Sequence, residues 1–215
     1  MKLIGLLGGT FNPIHFGHLR LAQELAEALN FSEVRFIPSA NPPHKAVPTV
    51  SPQHRAAMVQ LAIADNTLFK LDDRELARDG ASYTIDTLIS LREELGENTG
   101  LCLIMGSDAF AKLDTWHHWG ELLHYCHIIL VQRPSKQAQT KLSEGLTALL
   151  HDNYTENSSD LSEKSAGYIH MQTITAQDIS ATNIREKLSA GKSTKYLVPD
   201  NVLAYIQQHK LYQSL

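Results

Sequence analysis

Two histidines, His15 and His18, stand three residues apart just after a Gly-Gly turn near the start of the chain. Residues 3–7, before the turn, form a short apolar run typical of a buried parallel strand, and leucines recur at helical spacing after Gly17. A strand, a glycine turn and a helix N-terminus together favour an anion, because free backbone N–H groups and the helix dipole both point toward it. We therefore expect the two imidazoles to hydrogen-bond phosphate.

Other interpretations of this stretch are a pair of surface histidines at a helix start and a zinc site. Histidines at a helical spacing of three can bind zinc, but a third ligand is not evident in the neighbouring sequence. The stretch also lacks the third glycine of a dinucleotide-binding fingerprint and the Gly-Lys-Ser/Thr of a Walker A loop. Phosphate binding is the interpretation that the pattern favours.

The composition is that of an ordinary globular protein. Hydrophobic residues make up 43% of the 215 residues and charged residues 20%, which is enough apolar material for a real core. The net charge of -4 does not support broad nucleic-acid binding. Cys102 and Cys126 lie in or beside apolar runs and are interpreted as buried thiols in a reducing compartment. Without a leader or a run of membrane length, we expect a cytoplasmic protein with no membrane or nucleic-acid partner, either monomeric or homodimeric.

Apolar runs alternate with segments of helical periodicity, which predicts an α/β fold. We expect further strands near residues 34–37, 69–71, 101–105, 127–131 and 168–171. We expect helices near residues 51–64, 85–95, 137–150, from 180 onward and around 202–206. This order favours a Rossmann-like, open, mostly parallel sheet with helices on both faces. We expect a single domain, 1–215, with a C-terminal helical part, about 179–215, packed on it.

Several polar segments are predicted to lie at the surface. Arg55 falls in the first turns of a helix and is interpreted as a surface charge. Residues 72–80 are heavily charged and predict a solvated connection, and residues 152–164 are polar, serine-rich and predict a mobile surface loop. Ser82 or Thr84 is expected to cap the helix that ends at Gly96.

Candidate site residues also follow the central strand. Gly106, Ser107 and Asp108 come directly after residues 101–105, and ligands of open parallel sheets sit beyond the carboxyl ends of strands. A plain strand-to-helix turn with a Ser or Asp cap is the alternative. Of the two tryptophans that follow, Trp116 is the candidate for stacking on a ligand and Trp119 is the expected core residue.

Two further stretches supply cations. Three prolines fix the loop at residues 38–45, which offers His44 and Lys45 at a defined place. An ordinary solvated loop would give the same residues. Thr182 and Arg185 lie three apart on a helix that Ser180 is expected to cap, so the two side chains share a face.

The stretch Gly8-Gly9-Thr10-Phe11-Asn12-Pro13, followed by His15-Phe16-Gly17-His18, resembles the nucleotidylyltransferase superfamily with the (H/T)xGH signature. Later stretches resemble the bacterial nicotinate-nucleotide adenylyltransferases within it. They are Pro42-Pro43-His44-Lys45, Ser82-Tyr83-Thr84-Ile85-Asp86-Thr87, Gly106-Ser107-Asp108 with Trp116, Ile179-Ser180-Ala181-Thr182-Asn183-Ile184-Arg185, and Tyr196-Leu197-Val198-Pro199. Each motif is weak alone, but the ordered set covers nearly the whole chain.

The resemblance implies adenylyl transfer from ATP to nicotinate mononucleotide. It implies catalytic roles for His15, His18, Lys45 and Arg185. The ATP-binding residues it implies are Gly8, Gly9, Thr10, Phe11, His15, His18, Gly106, Asp108, Arg133, Ser180, Thr182 and Arg185. The mononucleotide-binding residues it implies are Asn41, His44, Lys45, Ser82, Tyr83, Thr84 and Trp116. The expected cofactor is Mg²⁺, held mainly by ATP phosphate oxygens and water, with no protein metal site.

One position departs from the family pattern, which often has Asp where this chain has Asn12. Asparagine keeps the acceptor oxygen and loses the charge, so no catalytic carboxylate is assigned there. Phosphopantetheine adenylyltransferase and nicotinamide-mononucleotide adenylyltransferase are alternatives from the same superfamily. A nucleotide-binding regulator without turnover is an alternative from another class.

Overall fold

The computed structural model describes residues 1–40, 48, 50–78, 80–132, 141–175 and 177–213. The strands are β1 (Lys2–Gly9), β2 (Glu33–Pro38), β3 (Phe69–Leu71), β4 (Thr99–Gly106), β5 (His127–Gln132), β6 (Tyr154–Thr155) and β7 (Ile169–Thr173). The helices are α1 (Phe16–Ala28), α2 (Pro52–Ile63), α3 (Thr84–Leu95), α4 (Ser107–Phe110), α5 (Leu122–Tyr125), α6 (Glu144–Asn153), α7 (Ala181–Ser189) and α8 (Asp200–Gln208). No helix in these ranges is long and apolar enough to cross a bilayer.

The strands form one sheet in the order β3-β2-β1-β4-β5-β7-β6, and every pairing is parallel. The chain runs outward from β1 through β2 to β3 and then returns to β4 on the other side of β1. The strand order therefore reverses between β1 and β4. Ligands of open α/β sheets bind at the carboxyl ends of the strands at this kind of reversal. The predicted α/β class with a parallel sheet is confirmed.

Helices cover both faces of the sheet. Along β4, Cys102 and Ile104 face one core, and Leu101, Leu103 and Met105 face the other. The first core receives side chains of α1, α2, α7 and α8, and the second those of α3, α4, α5 and α6. A strand buried on both faces needs apolar residues at every position, which explains the uninterrupted apolar runs of the central strands.

The C-terminal helices pack on the same core as α1 and α2. Ile184 of α7 and Val202 and Ile206 of α8 are at most 1% exposed within that core. The Asn201 side chain also donates to the carbonyl of Leu61, near the end of α2, over 2.7 Å. The packing places the C-terminal segment against the first half of the sheet.

Both cysteines are free and fully buried, as predicted. Cys102 lies on β4, and Cys126 immediately precedes β5, the neighbouring strand. Burial raises the pKa of both thiols, that of Cys126 to about 12. The thiolate that would react with oxidants is therefore disfavoured at neutral pH, and both residues act as small core residues.

The prediction of a mobile surface loop at residues 152–164 is wrong. Tyr154–Thr155 forms β6 at the sheet edge beside β7, and Leu161 in the following 3-10 turn is fully buried. The Thr155 hydroxyl donates to the Asp160 carboxylate, so polar side chains satisfy one another locally. Local hydropathy could not show this, because a two-residue strand has no period and its stability depends on β7.

Two other expectations are corrected. Of the helix predicted over residues 137–150, residues 137–140 lie outside the described residues and residues 141–143 are not helical. Helix α6 begins after Ser143, whose hydroxyl accepts from the N–H of Leu146 over 3.3 Å. The 72–80 segment is not simply solvated, because Asp72 and Glu75 are each only 8% exposed. Burial opposes ionisation of Asp72, but hydrogen bonds from Arg74 and its positive charge outweigh it and lower the pKa of that carboxyl.

Candidate active site

The loop that leaves β1, residues 9–15, is termed the signature loop, and it folds back tightly on itself. Phe11 is buried and has φ of 47°, which is a left-handed conformation unusual for a bulky residue. A Cβ at Gly9 would lie 3.0 Å from the Phe11 ring, whereas one at Gly8 would meet open space. A larger residue at position 9 would therefore press on the Phe11 ring, while Gly8 leaves the backbone accessible to a ligand.

His15 and His18 come together at the mouth of α1. His15 precedes the helix and is 5% exposed, and its ring stacks on that of His18 with centroids 3.7 Å apart. The His15 N–H donates to Nδ1 of His18 over 3.3 Å. A neutral His18 that accepts at Nδ1 carries its proton on Nε2, so that nitrogen is a donor for a ligand. The first turn of α1 holds no acidic residue, which leaves its dipole available to an anion.

Helix α7 supplies the cation that the sequence predicted. Ser180 caps the helix as expected, accepting from the N–H of Asn183 over 3.2 Å. The Arg185 guanidinium donates to the Asn12 carbonyl at 2.9 Å and to Thr182 Oγ1 at 3.2 Å. The prediction that Thr182 and Arg185 share a face of α7 is confirmed. The bond to the Asn12 carbonyl connects this face to the signature loop.

Asn12 has a structural partner at the far end of the chain. Its side-chain Oδ1 accepts a hydrogen bond from the Tyr212 hydroxyl over 2.7 Å. Burial raises the pKa of Tyr212, which keeps the hydroxyl protonated and able to donate. The amide of Asn12 thus ties the signature loop to the C-terminal segment.

Gly106 and Asp108 lie at the strand-order reversal. In the parallel register, Leu6 of β1 pairs with Leu103 of β4, so Gly9 and Gly106 each follow three residues beyond that pair at one edge. Gly106 is the N-cap of α4, and both it and Asp108 are exposed. Gly106 and Asp108 therefore lie at the edge of the sheet where the strand order reverses. Their contacts with a ligand stay predictions.

The N-terminus of α3 forms another wall. Tyr83 is the N-cap and makes no side-chain capping bond, so the expected cap by Ser82 or Thr84 is wrong. The Tyr83 ring lies 4.4 Å from that of His117, and Trp116 packs partly buried against the same core as Tyr83. The uncapped N–H groups at the start of α3 remain available to an acceptor.

Ser82 is used elsewhere, because its side chain hydrogen-bonds Glu75. Glu75 also accepts from Thr87 Oγ1 over 3.0 Å, and burial raises the pKa of its carboxyl. The interaction anchors the chain just before α3 to the 72–78 segment. Trp119, the predicted core residue, packs partly buried against the second core and lies close to Gly145 of α6.

Some predicted site residues cannot be placed. Asn41, His44, Lys45 and Arg133 lie outside the described residues. Their roles in binding phosphate, mononucleotide or ATP stay predictions.

Arg55 corrects a sequence-based expectation. It is fully buried rather than a surface charge, and its guanidinium donates to the Thr10 carbonyl over 2.7 Å. Burial lowers its pKa. Its position offered a signal, because it stands at helical spacing with Met58, Val59 and Ile63 on the buried stripe of α2.

The described donors suit an anion better than a protein-bound metal. Within the described ranges, no group of three or more His, Cys, Asp or Glu side chains could hold a metal ion. The site instead presents imidazole, guanidinium and backbone N–H groups. Such a set fits a metal that is held by phosphate oxygens and water, if one accompanies the ligand.

Comparison with known proteins shows which family the chain belongs to. The cytidylyltransferase-like family model matches residues 6–187. A protein named "probable nicotinate-nucleotide adenylyltransferase" from Pseudomonas entomophila is 47% identical over 100% of this chain and 96% of its own length. A protein of the same name from Aeromonas salmonicida is 47% identical, covering 98% of this chain and 97% of its own.

Solved structures share the fold. The chain superposes on Plasmodium falciparum nicotinic acid mononucleotide adenylyltransferase complexed with NaAD with a TM-score of 0.73, 18% identity and coverage of 99% and 98%. The same protein complexed with APC gives a TM-score of 0.70 at 18% identity, again over 99% of this chain and 98% of that one. At this identity the superposition shows the architecture only.

Proposed function

The chain belongs to the nicotinate-nucleotide adenylyltransferases of the cytidylyltransferase-like family, and from this premise we propose that it adenylylates nicotinate mononucleotide in NAD biosynthesis. The mononucleotide phosphate oxygen attacks the α-phosphorus of ATP. A new P–O bond forms, the bond between the α-phosphorus and the bridging oxygen breaks, and pyrophosphate leaves with the electron pair. The products are nicotinate adenine dinucleotide and pyrophosphate.

The observation that carries the proposal is the convergence of His15, His18 and Arg185 on one loop at the strand-order reversal. The attacking phosphate is already an anion, so the reaction needs no general base. Catalysis then consists of holding two anionic reactants in line and stabilising the charge that develops on the leaving pyrophosphate. A stacked imidazole pair and a guanidinium suit that task.

On the ATP side, His18 donates from Nε2 while His15 holds its ring. Arg185 is fixed by Asn12 and Thr182, so its remaining N–H groups face the triphosphate in a defined plane. We propose that Mg²⁺ binds with ATP and partly neutralises the phosphate charge. Its ligands would be phosphate oxygens and water, in line with the anion-binding character of the described side chains.

On the mononucleotide side, we propose that the nicotinate ring stacks on Trp116. The carboxylate of the ring would accept from the free N–H groups of Tyr83 and Thr84 at the start of α3. Lys45, with Asn41 and His44, would meet the phosphate. We further propose a cytoplasmic location, where the two free thiols stay reduced.

The test is an assay of the purified protein with ATP and Mg²⁺, following pyrophosphate release with each of three acceptors. Nicotinate mononucleotide should be preferred over nicotinamide mononucleotide by at least about tenfold in kcat/KM, because an amide would point its NH₂ at a backbone donor and leave a mismatch of about 1–3 kcal/mol. Phosphopantetheine should not react. Equal use of the two mononucleotides would replace the proposal by a dual-specificity enzyme. Binding of ATP without turnover on any acceptor would indicate a regulator.

A further inference from the structure

Arg55 of α2 contacts the two chain segments that border the proposed substrate sites. Its Nη1 donates to the Thr10 carbonyl of the signature loop over 2.7 Å. Its Nη2 reaches the Ala40 carbonyl at 3.4 Å, and its Nε reaches the Val50 carbonyl at 3.4 Å. Ala40 immediately precedes Asn41, the first of the residues assigned to the mononucleotide.

The segment after β2, residues 39–40, is also tied directly to the signature loop. The Ser39 N–H donates to the Gly9 carbonyl over 2.9 Å. Two successive carbonyls of the signature loop therefore have partners outside the loop. The Gly9 carbonyl accepts from Ser39, and the Thr10 carbonyl accepts from Arg55. These bonds link the position of the signature loop to that of residues 39–40.

The charge of Arg55 is unusual for a fully buried group. Burial lowers the pKa of Arg55, and the Tyr212 phenol raises it. Among the described residues, no carboxylate shifts this pKa. Buried guanidinium groups are normally matched by an anion or saturated with acceptors. Here backbone carbonyls supply the acceptors, and the anions nearest the bound loops would be the phosphates of the substrates.

We propose that Arg55 is a positioning residue that couples the signature loop to residues 39–40, so that ATP and nicotinate mononucleotide each improve binding of the other. The proposal rests on the function proposed above. Arg55 does not contact the reacting atoms in this role. It fixes the spacing of two loops by holding a carbonyl of each, and a fork of N–H donors does this where a single ammonium cannot.

The chain offers a matched control in Arg92 of α3. Its side chain is also nearly buried, at 8% exposure for the residue, and also binds backbone carbonyls only, those of Gly96, Thr99, Tyr125 and Ser165. These carbonyls lie around the start of β4 and before β5, at the opposite end of the strands from the signature loop. Arg55→Lys and Arg92→Lys therefore each remove a buried guanidinium that binds backbone carbonyls, one beside the signature loop and one at the opposite end of the strands.

The experiment measures ATP-analogue affinity by calorimetry with and without nicotinate mononucleotide, using a non-hydrolysable analogue, for wild type and both variants. Wild type should show a coupling of at least about fivefold, the lower end of common values. Arg55→Lys should reduce the coupling below about twofold and raise KM for both substrates. Arg92→Lys should lower the melting temperature but keep the wild-type coupling. Unchanged coupling in Arg55→Lys, or equal loss in Arg92→Lys, would overturn the proposal.

Amide hydrogen exchange on wild type provides a second measurement if Arg55→Lys does not fold. The ATP analogue alone should slow exchange at Ser39 and leave Gly96, which bonds to the Arg92 carbonyl, unchanged. No slowing at Ser39 would overturn the proposal. Coupled loops in a wild type that makes no dinucleotide would remove the proposed function and leave the role of Arg55 intact.

Discussion

The main-chain N–H of His15 donates to Nδ1 of His18 over 3.3 Å, and the two imidazole rings stack with centroids 3.7 Å apart. This relationship assigns different tasks to two histidines that look equivalent in sequence. His15 is buried and is the N-cap of α1, while the ring of His18 is oriented by the main-chain bond to its Nδ1. The pair is a preorganised donor for phosphate rather than two independent surface groups.

His18→Ala should therefore lower kcat by roughly 10²–10³, because one preorganised donor to a developing charge is lost. The melting temperature should change little, since the side chain is only partly buried. Steady-state kinetics and calorimetry measure the two effects. His151→Ala, at an 87% exposed side chain on α6, is the control and should retain wild-type kinetics. A folded His18→Ala enzyme with near-normal turnover would remove His18 from the site.

Arg185→Lys should not restore function. The lysine keeps the charge, but a single ammonium cannot hold the Asn12 carbonyl and Thr182 while also meeting a phosphate. We expect a rise in KM for ATP and a fall in kcat of at least about tenfold, given the roughly doubled strength of charge-assisted bonds. The reverse exchange on the same helix, Lys187→Arg, is the control. ATP kinetics like those of the wild type in Arg185→Lys would make Arg185 a structural link only.

Trp116→Ala should weaken both mononucleotides together and leave their ratio mostly intact. An indole face provides contact area to any pyridine ring, whereas the carboxylate is distinguished by the N–H groups at the start of α3. The measurement is kcat/KM for nicotinate and nicotinamide mononucleotide in wild type and variant. A large change in the ratio would show that Trp116 itself reads the substituent.

His127→Gln should flatten the dependence of stability on acid pH. Burial lowers the pKa of His127 to about 4, and its ring is held between the Lys164 carbonyl and the Tyr168 N–H. In the unfolded chain the pKa is about 6.5, so between about pH 4 and 6.5 the unfolded state binds more protons. The contribution of His127 is complete above that window and is lost as pH falls through it.

Urea unfolding at about pH 4.5 and pH 7 tests this sign, because the free energy of unfolding of the variant should differ less between the two than that of the wild type. His151→Gln, an exposed histidine, serves as control and should keep the wild-type difference. An equal pH dependence in His127→Gln and wild type would mean that folding does not shift the pKa of His127.

The sequence by itself determined the α/β class, the places of the central strands and the local ends of several elements. Period and apolar runs located the central strands, Ser180 and Gly96 marked helix ends, and the spacing of Thr182 and Arg185 placed them on one face. These features depend on neighbours within a few residues, and propensities and caps act over that range.

Only the tertiary structure decided which polar groups are buried and which distant segments meet. Arg55 and Glu75 are charged residue types that usually lie at the surface. Here both are buried, and carbonyl and hydroxyl groups of other segments supply their hydrogen-bond partners. Arg185 and Asn12 stand 173 residues apart, and their contact depends on the packing of α7 beside the signature loop. Hydrogen bonds between such distant residues produce no repeating pattern in the local sequence. The assembly of the site is therefore seen only in the tertiary structure.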